Sequence, residues 1–271
     1  MIYRIHKPGF PLSQFIDFFF YYEGFNSGYI IEKLLPDGAV DLLIDLTESP
    51  KKLFDDEEGV SYTTLKKSWI SGMKTDYILI DASGSNMIGV HFKPGGCYPF
   101  LHFPMVELND LTIELDRVLG NEANSIREAI LHEPCIDKRF SILENYFLQK
   151  GKNKMENHAL VHYSVNQLAQ SPQMWTIREL SNKTGITQKH LITLFKKYVG
   201  LSPKMFSRIN KFQKVIRLIE QQKKIDWSML AYECGYFDQA HFIKEFQAFS
   251  GINPAAYLEK RGPYLNFIPI A

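Results

Sequence analysis

Residues 185–200 read Gly-Ile-Thr-Gln-Lys-His-Leu-Ile-Thr-Leu-Phe-Lys-Lys-Tyr-Val-Gly and predict a turn followed by one amphipathic helix. Gly185 tolerates the positive φ of a turn, Thr187 is a typical N-cap residue, and Gly200 is placed to end the helix. One face of this helix is apolar at three- and four-residue spacing and is expected to pack on a core: Leu191, Leu194, Phe195 and Tyr198. The opposite face carries lysine, glutamine and threonine.

A second short helix precedes this stretch. Thr176 and Glu179 have the spacing of a capping box, which opens a helix that runs through Leu180 to Thr184. A short helix, a glycine turn and an amphipathic helix with a basic, amide-bearing face make a helix-turn-helix candidate. Because two short helices and a glycine occur in many helical domains, one such match is weak evidence.

The same pattern occurs twice in the chain. Ser181 and Gly185 have counterparts fifty residues later in Ala231 and Gly235. The next residues have counterparts fifty-one residues later, which places one extra residue in the second turn: Leu191 pairs with Phe242, Phe195 with Phe246, Gly200 with Gly251 and Pro203 with Pro254. Two helix-turn-helix units therefore lie in tandem.

A longer helix is predicted between the two units. Ser202 and Pro203 combine a cap with an N1 proline at its start. Its apolar stripe runs to about Gln222 through Met205, Phe206, Ile209, Phe212, Val215, Ile216 and Ile219. Roughly twenty residues at about 1.5 Å each span about 30 Å, close to the roughly 34 Å of one duplex turn. Both recognition helices are therefore expected to enter successive major grooves on one face of DNA.

Residues 175–254 resemble the DNA-binding domain of AraC-type (AraC/XylS) transcription regulators. The resemblance uses both repeats. It is carried by Ile177-Arg-Glu-Leu-Ser181, Leu191-x-x-Leu-Phe195, Gly200-Leu-Ser-Pro203, Ala231-Tyr-Glu-Cys-Gly-Tyr236, Asp238-Gln-Ala-His-Phe242, Phe246 and Gly251-Ile-Asn-Pro254. The chain departs from the family in its second turn, Gly-Tyr-Phe-Asp, and in having no arginine in either recognition helix, which leaves the operator sequence open.

Residue types on the outward faces predict the DNA contacts. Lysine can donate to guanine, the glutamine amide can read adenine, and small or apolar side chains can touch a thymine methyl. The predicted base-contacting set is Gln188, Lys189, Ile192, Thr193, Gln239, Ala240, His241 and Lys244. Spacing alone does not decide whether His190 and His241 face DNA or the protein. Phosphate contacts, which set register without reading sequence, are predicted for Thr187, Lys196, Lys197, Lys204 and Arg208.

The distribution of charge supports a nucleic-acid partner for one half of the chain. The 271 residues carry a net charge of only +1. From residue 160 onward, however, 15 Lys+Arg stand against 7 Asp+Glu, a balance of +8, and the preceding residues carry the compensating −7. Such asymmetry is expected when only one of two domains contacts phosphates.

The first hundred residues are predicted to be mainly strands. Residues 29–35 and 39–46 are apolar, β-prone runs on either side of Pro36-Asp37-Gly38, which has the residues of a hairpin turn. Further short runs follow at 69–70, 77–80 and 87–92, and the acidic residues 55–58 are expected to form a solvated loop. This pattern favours a small barrel or a double sheet over a parallel sheet.

The N-terminal half also resembles the sensor domain of a subset of AraC-type regulators. The similarity lies in Leu35-Pro-Asp-Gly38, Asp41-Leu42, Gly72 and Gly89-Val-His-Phe-Lys-Pro-Gly-Gly96. It implies a cupin-like barrel that responds to a small molecule. A metal-binding cupin needs closely spaced histidines, which His91 and His102 lack, so neither a metal nor another cofactor is predicted. The predicted cavity is mostly apolar and aromatic, and its candidate effector-binding residues are Asp41, Trp69, His91 and Lys93.

The predicted organisation is an α+β chain with an N-terminal mainly-β barrel and a C-terminal all-α domain. The N-terminal domain covers 1–150, with strands to about 103 and helices over about 108–150. A polar linker at 151–158, a DNA-binding domain at 159–262 and a tail at 263–271 follow. Amphipathic segments within Ser125–Gln149 are assigned to a homodimer interface by the resemblance, whereas packing against the barrel explains them equally well.

These features predict a DNA-binding transcription regulator with a double-stranded operator, a small-molecule effector and RNA polymerase as partners. The absence of a leader or a long apolar run predicts a bacterial cytoplasmic protein that associates with the nucleoid when bound to DNA. Two alternatives stay open: an N-terminal enzyme with Cys97 and His91 as nucleophile and base, or a barrel that only dimerises. Three widely separated cysteines, Cys97, Cys135 and Cys234, predict reduced thiols rather than a disulfide or zinc framework.

Overall fold

The computed structural model describes residues 2–25, 30–82, 84–152, 155, 158–221, 225–262 and 264–270. Two antiparallel sheets form the N-terminal part, and α-helices form most of the rest. This confirms the predicted α+β class and the double sheet. Tyr29 and much of the predicted linker lie outside the described residues.

The first sheet has six strands in the order β1-β2-β9-β4-β7-β10, and the second has five in the order β11-β3-β8-β5-β6. The strands are β1 Ile2–His6, β2 Ile16–Phe25, β3 Ile31–Leu34, β4 Val40–Asp45, β5 Lys51–Phe54, β6 Tyr62–Leu65, β7 Ser68–Ser71, β8 Ile78–Asp81, β9 Ser85–Phe92, β10 Thr112–Glu114 and β11 Phe267–Ile270. Five of them correspond to the predicted runs, namely β3, β4, β7, β8 and β9.

The predicted hairpin at Pro36-Asp37-Gly38 is wrong. Gly38 has the positive φ of +82° expected of the turn, but the flanking strands do not pair with each other. β3 pairs with β8 and β11 in one sheet, whereas β4 pairs with β7 and β9 in the other. A turn signal fixes the local reversal of the chain and not the partner of each strand, so the same residues can carry the chain from one sheet to the next.

Helices follow the strands and connect the two halves. Two of them, α3 and α4, match the predicted amphipathic segments. The two predicted helix-turn-helix units correspond to α6 with α7 and to α9 with α10, and α8 is the predicted longer helix between them. The helices are α1 Tyr98–Leu101, α2 Asp116–Leu119, α3 Asn121–His132, α4 Ile136–Lys150, α5 Ala159–Gln170, α6 Ile177–Thr184, α7 Gln188–Tyr198, α8 Pro203–Gln221, α9 Trp227–Glu233, α10 Gln239–Ser250 and α11 Pro254–Lys260.

The apolar faces of α3 and α4 are buried within the chain. Ile126 and Ile130 of α3 and Phe140, Leu143 and Phe147 of α4 belong to the main hydrophobic core. Phe147 makes edge-on ring contacts with Phe92 of β9 and with Phe100 of α1, at 5.5 Å and 5.0 Å between centroids. Packing against the sheet therefore accounts for the amphipathic pattern that also suggested a dimer interface.

The C-terminal residues return to the N-terminal part. The sequence-based division leaves 263–271 as a tail, yet Phe267–Ile270 forms β11 and pairs with all four residues of β3. Ile268 is buried, and the backbone N–H of Leu35 donates to the carbonyl of Asn266 at 2.9 Å. The first and last parts of the chain thus share one sheet.

Candidate nucleic-acid interface

The first helix-turn-helix unit is built from the residues that the sequence indicated. Thr176 accepts from the Glu179 N–H and Glu179 accepts from the Thr176 N–H, which completes the capping box of α6. Gly185 ends α6 in the left-handed region at φ +72°. The Thr187 hydroxyl then accepts from the His190 N–H and caps α7. These local bonds fix the turn and the start of the recognition helix α7.

The second unit repeats this construction. Asp226 caps α9, and the Asp238 carboxylate accepts from the His241 N–H at 2.7 Å to cap α10. Phe242 and Phe246 of α10 are fully buried and pack edge-on at 5.9 Å. These contacts hold α10 as the second recognition helix, with its N-terminal turn directed away from the core.

Helix α8 separates the two units. Its cap is the Ser202 hydroxyl, which accepts from the Met205 N–H at 3.2 Å, and Pro203 is its first residue. It contains 19 residues, which at about 1.5 Å each correspond to about 29 Å. Its buried face includes Phe206, Ile209 and Phe212. Helix α8 therefore packs in the hydrophobic core and connects the two units.

The structure brings most of the predicted base-contacting residues to exposed positions. Ile192 is half-buried. The other predicted base-contacting residues are exposed, namely Gln188, Lys189, Thr193, Gln239, Ala240, His241 and Lys244. His190 is exposed as well. Three of these side chains have contacts inside the chain: Gln239 accepts from the Ser228 hydroxyl at 2.9 Å, Thr193 donates to the Lys189 carbonyl at 3.0 Å, and Nδ1 of His241 accepts from the Phe237 N–H at 3.4 Å.

Among the predicted phosphate-contacting residues, Arg208 has another partner. Its guanidinium donates to both carboxylate oxygens of Glu245, at 2.7 Å and 2.9 Å, and lies 5.1 Å from the ring centroid of Phe249. This half-buried pair joins α8 to α10, so the guanidinium of Arg208 has a structural partner within the chain. Thr187, Lys196 and Lys204 are exposed.

Lys197 lies beside the N-terminal domain. Its ammonium is 5.5 Å from the ring centroid of Tyr98 and 5.3 Å from that of Tyr198. The two tyrosine rings are themselves 4.4 Å apart across the junction between α1 and α7. Lys197 therefore has a role at this junction in addition to any phosphate contact.

Both recognition helices end against the N-terminal domain. A Cβ on Gly200, just after α7, would lie 3.1 Å from the Met105 carbonyl oxygen. A Cβ on Gly251, just after α10, would lie 2.6 Å from the ring of Tyr77 and 3.0 Å from the Lys33 ammonium. The N-terminal residues of α7 and α10, at the opposite ends of the two helices, are exposed.

The spacer helix is docked as well. The Gln213 side chain, which is buried in α8, donates to the Pro36 carbonyl at 2.8 Å and to the Asn266 side-chain oxygen at 2.9 Å. A Cβ on Gly38 would lie 3.5 Å from the Ile209 side chain. The turn that crosses between the sheets is therefore in direct contact with the helix that spaces the two units.

The proposed effector-binding residues do not form one pocket. By strand register Asp41, Trp69 and His91 share one face of the six-stranded sheet. Trp69 is buried there against Leu65, a residue of the second sheet, so this face looks inward. Lys93 instead donates to the Ser13 carbonyl at 2.7 Å.

Lys93 lines a separate cleft of about 500 Å³ between the N-terminal part and α5. The other lining residues are Ser13, Gln14, Ala159 and His162.

The inner face is more polar than predicted. Asp41 and His91 are joined by a hydrogen bond of 2.7 Å between Oδ1 and Nδ1, and Asp37 lies beside them. Asp45 and Lys51 are also buried in this domain. The expectation of a mostly apolar cavity therefore overlooked charged residues that strand alternation turns inward.

Asp37, Asp41 and His91 also form a group that spacing in the sequence did not suggest. Each offers one ligand atom, and these atoms all lie within 4.8 Å of one another. Two carboxylates and an imidazole could hold a divalent cation. Burial disfavours the imidazolium of His91, but the charge of Asp41 and its hydrogen bond outweigh this effect and raise the pKa of His91 to about 9.

Cys97 does not fit the catalytic alternative. The side chain is 1% exposed, and burial raises the pKa of its thiol well above the usual value. A buried neutral thiol is a poor nucleophile. The imidazole that was considered as its base is bonded to Asp41 instead.

Comparisons with known proteins match two separate parts of the chain. Residues 180–260 match the family described as "Helix-turn-helix domain", and residues 4–114 match "Domain of unknown function (DUF6597)". A Haemophilus influenzae protein named "Uncharacterized HTH-type transcriptional regulator" is 27% identical over 118 residues, which are 43% of this chain and 38% of that protein. The match therefore spans less than half the length of this curated relative.

Solved structures of ToxT from Vibrio cholerae are similar over most of the chain. One is 10% identical with a TM-score of 0.47 and covers 96% of this chain and 98% of its own. Another, described as bound to an unsaturated fatty acid, is 13% identical with a TM-score of 0.46 and covers 85% and 91%. Among the described residues, no helix is long and apolar enough to cross a membrane.

Proposed function

We propose that this chain, whose residues 180–260 match a helix-turn-helix domain family, binds a specific DNA operator and regulates transcription in the manner of AraC-type regulators. The observation that carries the proposal is the pair of capped recognition helices, α7 and α10, whose N-terminal turns are exposed and which are linked in sequence through a spacer helix, α8, about 29 Å long. This length is close to the roughly 34 Å of one duplex turn, so both helices can reach major grooves on one DNA face.

Lys189→Ala and Lys244→Ala are each expected to weaken operator binding. Both lysines are exposed near the N-terminal halves of α7 and α10. A lost base contact should cost about 1–3 kcal/mol and loosen the preference at one base pair. Affinities measured by fluorescence anisotropy on the selected operator and on single-position variants test this. Arg217→Ala, an exposed change on α8, is the matched control.

The outcome for these variants also separates two kinds of contact. Equal weakening on every sequence would assign the lysines to phosphates, because such contacts carry no sequence information. Operator affinity unchanged in both variants would contradict docking through the two helices.

We also propose that the N-terminal domain controls the relative position of the two recognition helices. Support comes from its contacts with the ends of α7 and α10 and from the hydrogen bond between Gln213 and Pro36. A small molecule that favours one arrangement of these contacts would change DNA affinity. Candidate places are the inward face with Asp41, Trp69 and His91, and the cleft beside Lys93.

A thermal melt of the full chain against a panel of small molecules tests for an effector, since a ligand that binds the native state raises the midpoint. Asp41→Asn and Lys93→Ala then distinguish the two places. A compound whose effect survives both changes would bind elsewhere. If no compound raises the midpoint or alters DNA affinity, the domain acts without an effector from that panel.

Homodimerisation, contact with RNA polymerase and a cytoplasmic location with association to the nucleoid complete the proposal. A dimer through Ser125–Gln149 would use the outer faces of α3 and α4, since their apolar faces are occupied. Light scattering of the full chain at micromolar concentration tests it. A monomer both with and without operator DNA would contradict the dimer.

A further inference from the structure

The two helix-turn-helix units differ by one residue, and the structure shows which one it is. Gly185 and Gly235 occupy equivalent turn positions with φ of +72° and +76°. Thr187 and Asp238 are the equivalent N-caps of α7 and α10. Ile186 alone lies between glycine and cap in the first unit, whereas Tyr236 and Phe237 lie there in the second.

Tyr236 takes the packing role of Ile186. It is 7% exposed, and its ring lies 5.4 Å from that of Phe242 and 5.6 Å from that of His241. Phe237 is therefore the additional residue. It is 92% exposed, and no large hydrophobic side chain in the described part of the chain is more exposed.

The position of Phe237 in the unit indicates which kind of partner its exposed ring contacts. It directly precedes the cap of α10, and its backbone N–H makes a long hydrogen bond of 3.4 Å to Nδ1 of His241 in the first turn of that helix. In helix-turn-helix proteins the N-terminal residues of the recognition helix contact base edges. Gln239 and Ala240, the exposed residues beside it, belong to the predicted base-contacting set.

The apolar ring restricts the choice of contact. A phosphate offers only charged oxygens, whereas the 5-methyl group of thymine is the apolar feature of the major groove that phenylalanine can pack against. We propose that Phe237 contacts the methyl group of a thymine and makes the second unit selective for that base. This inference rests on the proposed function and adds a specificity-determining residue to it.

The test begins with the operator that the full-length wild-type chain selects from a random duplex library. Phe237→Ala is expected to bind this operator about tenfold more weakly and to lose its preference at one thymine position. Replacing that thymine with uracil, which removes only the methyl group, should weaken wild-type binding by a similar factor. The same replacement should have no effect on Phe237→Ala.

Two controls accompany the test. Tyr232→Ala removes another exposed aromatic side chain, 85% exposed on α9, and should leave the base preference unchanged. The thermal midpoint of Phe237→Ala should equal that of the wild type, because so exposed a side chain contributes nothing to the core.

Several results would overturn the inference. One is that Phe237→Ala keeps the base preference of the wild type. Another is that Phe237→Ala loses the same amount of affinity for every DNA sequence. Unchanged DNA affinity with reduced transcription in vitro would assign Phe237 to a protein partner. Failure of the wild-type chain to select any DNA would instead refute the proposed function itself.

Discussion

Deletion of residues 264–271 should destabilise the protein by about 3–5 kcal/mol, from the loss of one buried apolar side chain and several hydrogen bonds. β11 pairs with β3, Ile268 is 2% exposed, and Asn266 accepts from both Leu35 and Gln213. All of these contacts join the end of the chain to the N-terminal domain or to the spacer helix. Their loss should also reduce the cooperativity between the two domains.

Differential scanning calorimetry of the full chain and of the deletion variant measures both effects. We expect one cooperative transition for the wild type and a lower, broadened or split transition for the variant. Leu265→Ser, a change at a residue that is 43% exposed, is the control and should melt like the wild type. An unchanged single transition in the deletion variant would show that β11 does not couple the domains.

The stability of the protein should fall between about pH 6.5 and 9, by as much as about 3 kcal/mol. The pKa of His91 is raised from its ordinary value to about 9. A raised folded-state pKa contributes stability that is fully present below the unfolded-state pKa and is lost as the pH rises through the folded-state value. Asp37 and Asp17 face the same imidazole, so they add to the attraction that Asp41 supplies.

Urea denaturation at several pH values tests this dependence. Asp41→Asn removes the main electrostatic attraction for the His91 imidazolium, so the stability of this variant should depend little on pH above pH 6.5. Relative to the wild type, the variant should lose most stability at low pH, where His91 is protonated. Glu144→Gln is a control for His6, a second histidine of this domain, which lies 3.1 Å from that carboxylate. If the free energy of unfolding depends on pH in the same way in the wild type and in Asp41→Asn, His91 is not the group responsible.

The C-terminal half was predictable because its signals are local. Capping residues act within one turn of a helix, so Thr176, Thr187 and Ser202 could be assigned from sequence and are confirmed. The repeat added independent support, since an offset of fifty residues is readable without knowing any contact. The change of offset also pointed to an extra residue, although not to the exposure of Phe237.

The N-terminal half was less predictable because its structure depends on distant pairings. The aromatic residues of β2 lack clear alternation, and β11 pairs with a strand more than two hundred residues earlier. Neither feature leaves a local pattern. The hairpin at Pro36-Asp37-Gly38 failed for the same reason, because a turn does not specify the sheets that its strands join.

The group of Asp37, Asp41 and His91 and the ion pair of Arg208 were unpredictable for the same reason, because both depend on contacts between residues far apart in the sequence. His91 meets Asp37 and Asp41 only because β4 and β9 are neighbours, so rules based on short ligand spacing could not detect the group. Arg208 had the charge and location of a phosphate contact, but Glu245 lies 37 residues away and satisfies it. The fold therefore determines which partners lie within reach of a charged side chain such as Arg208.

Hydroxyl-radical and methylation-protection footprinting of the full chain on its selected operator tests the central claim most directly, namely that α7 and α10 enter two successive major grooves. The account predicts two protected regions about one turn apart on the same face of the duplex. Lys189→Ala should weaken protection of one region and Lys244→Ala that of the other. A single protected region, or two regions on opposite faces, would contradict the account.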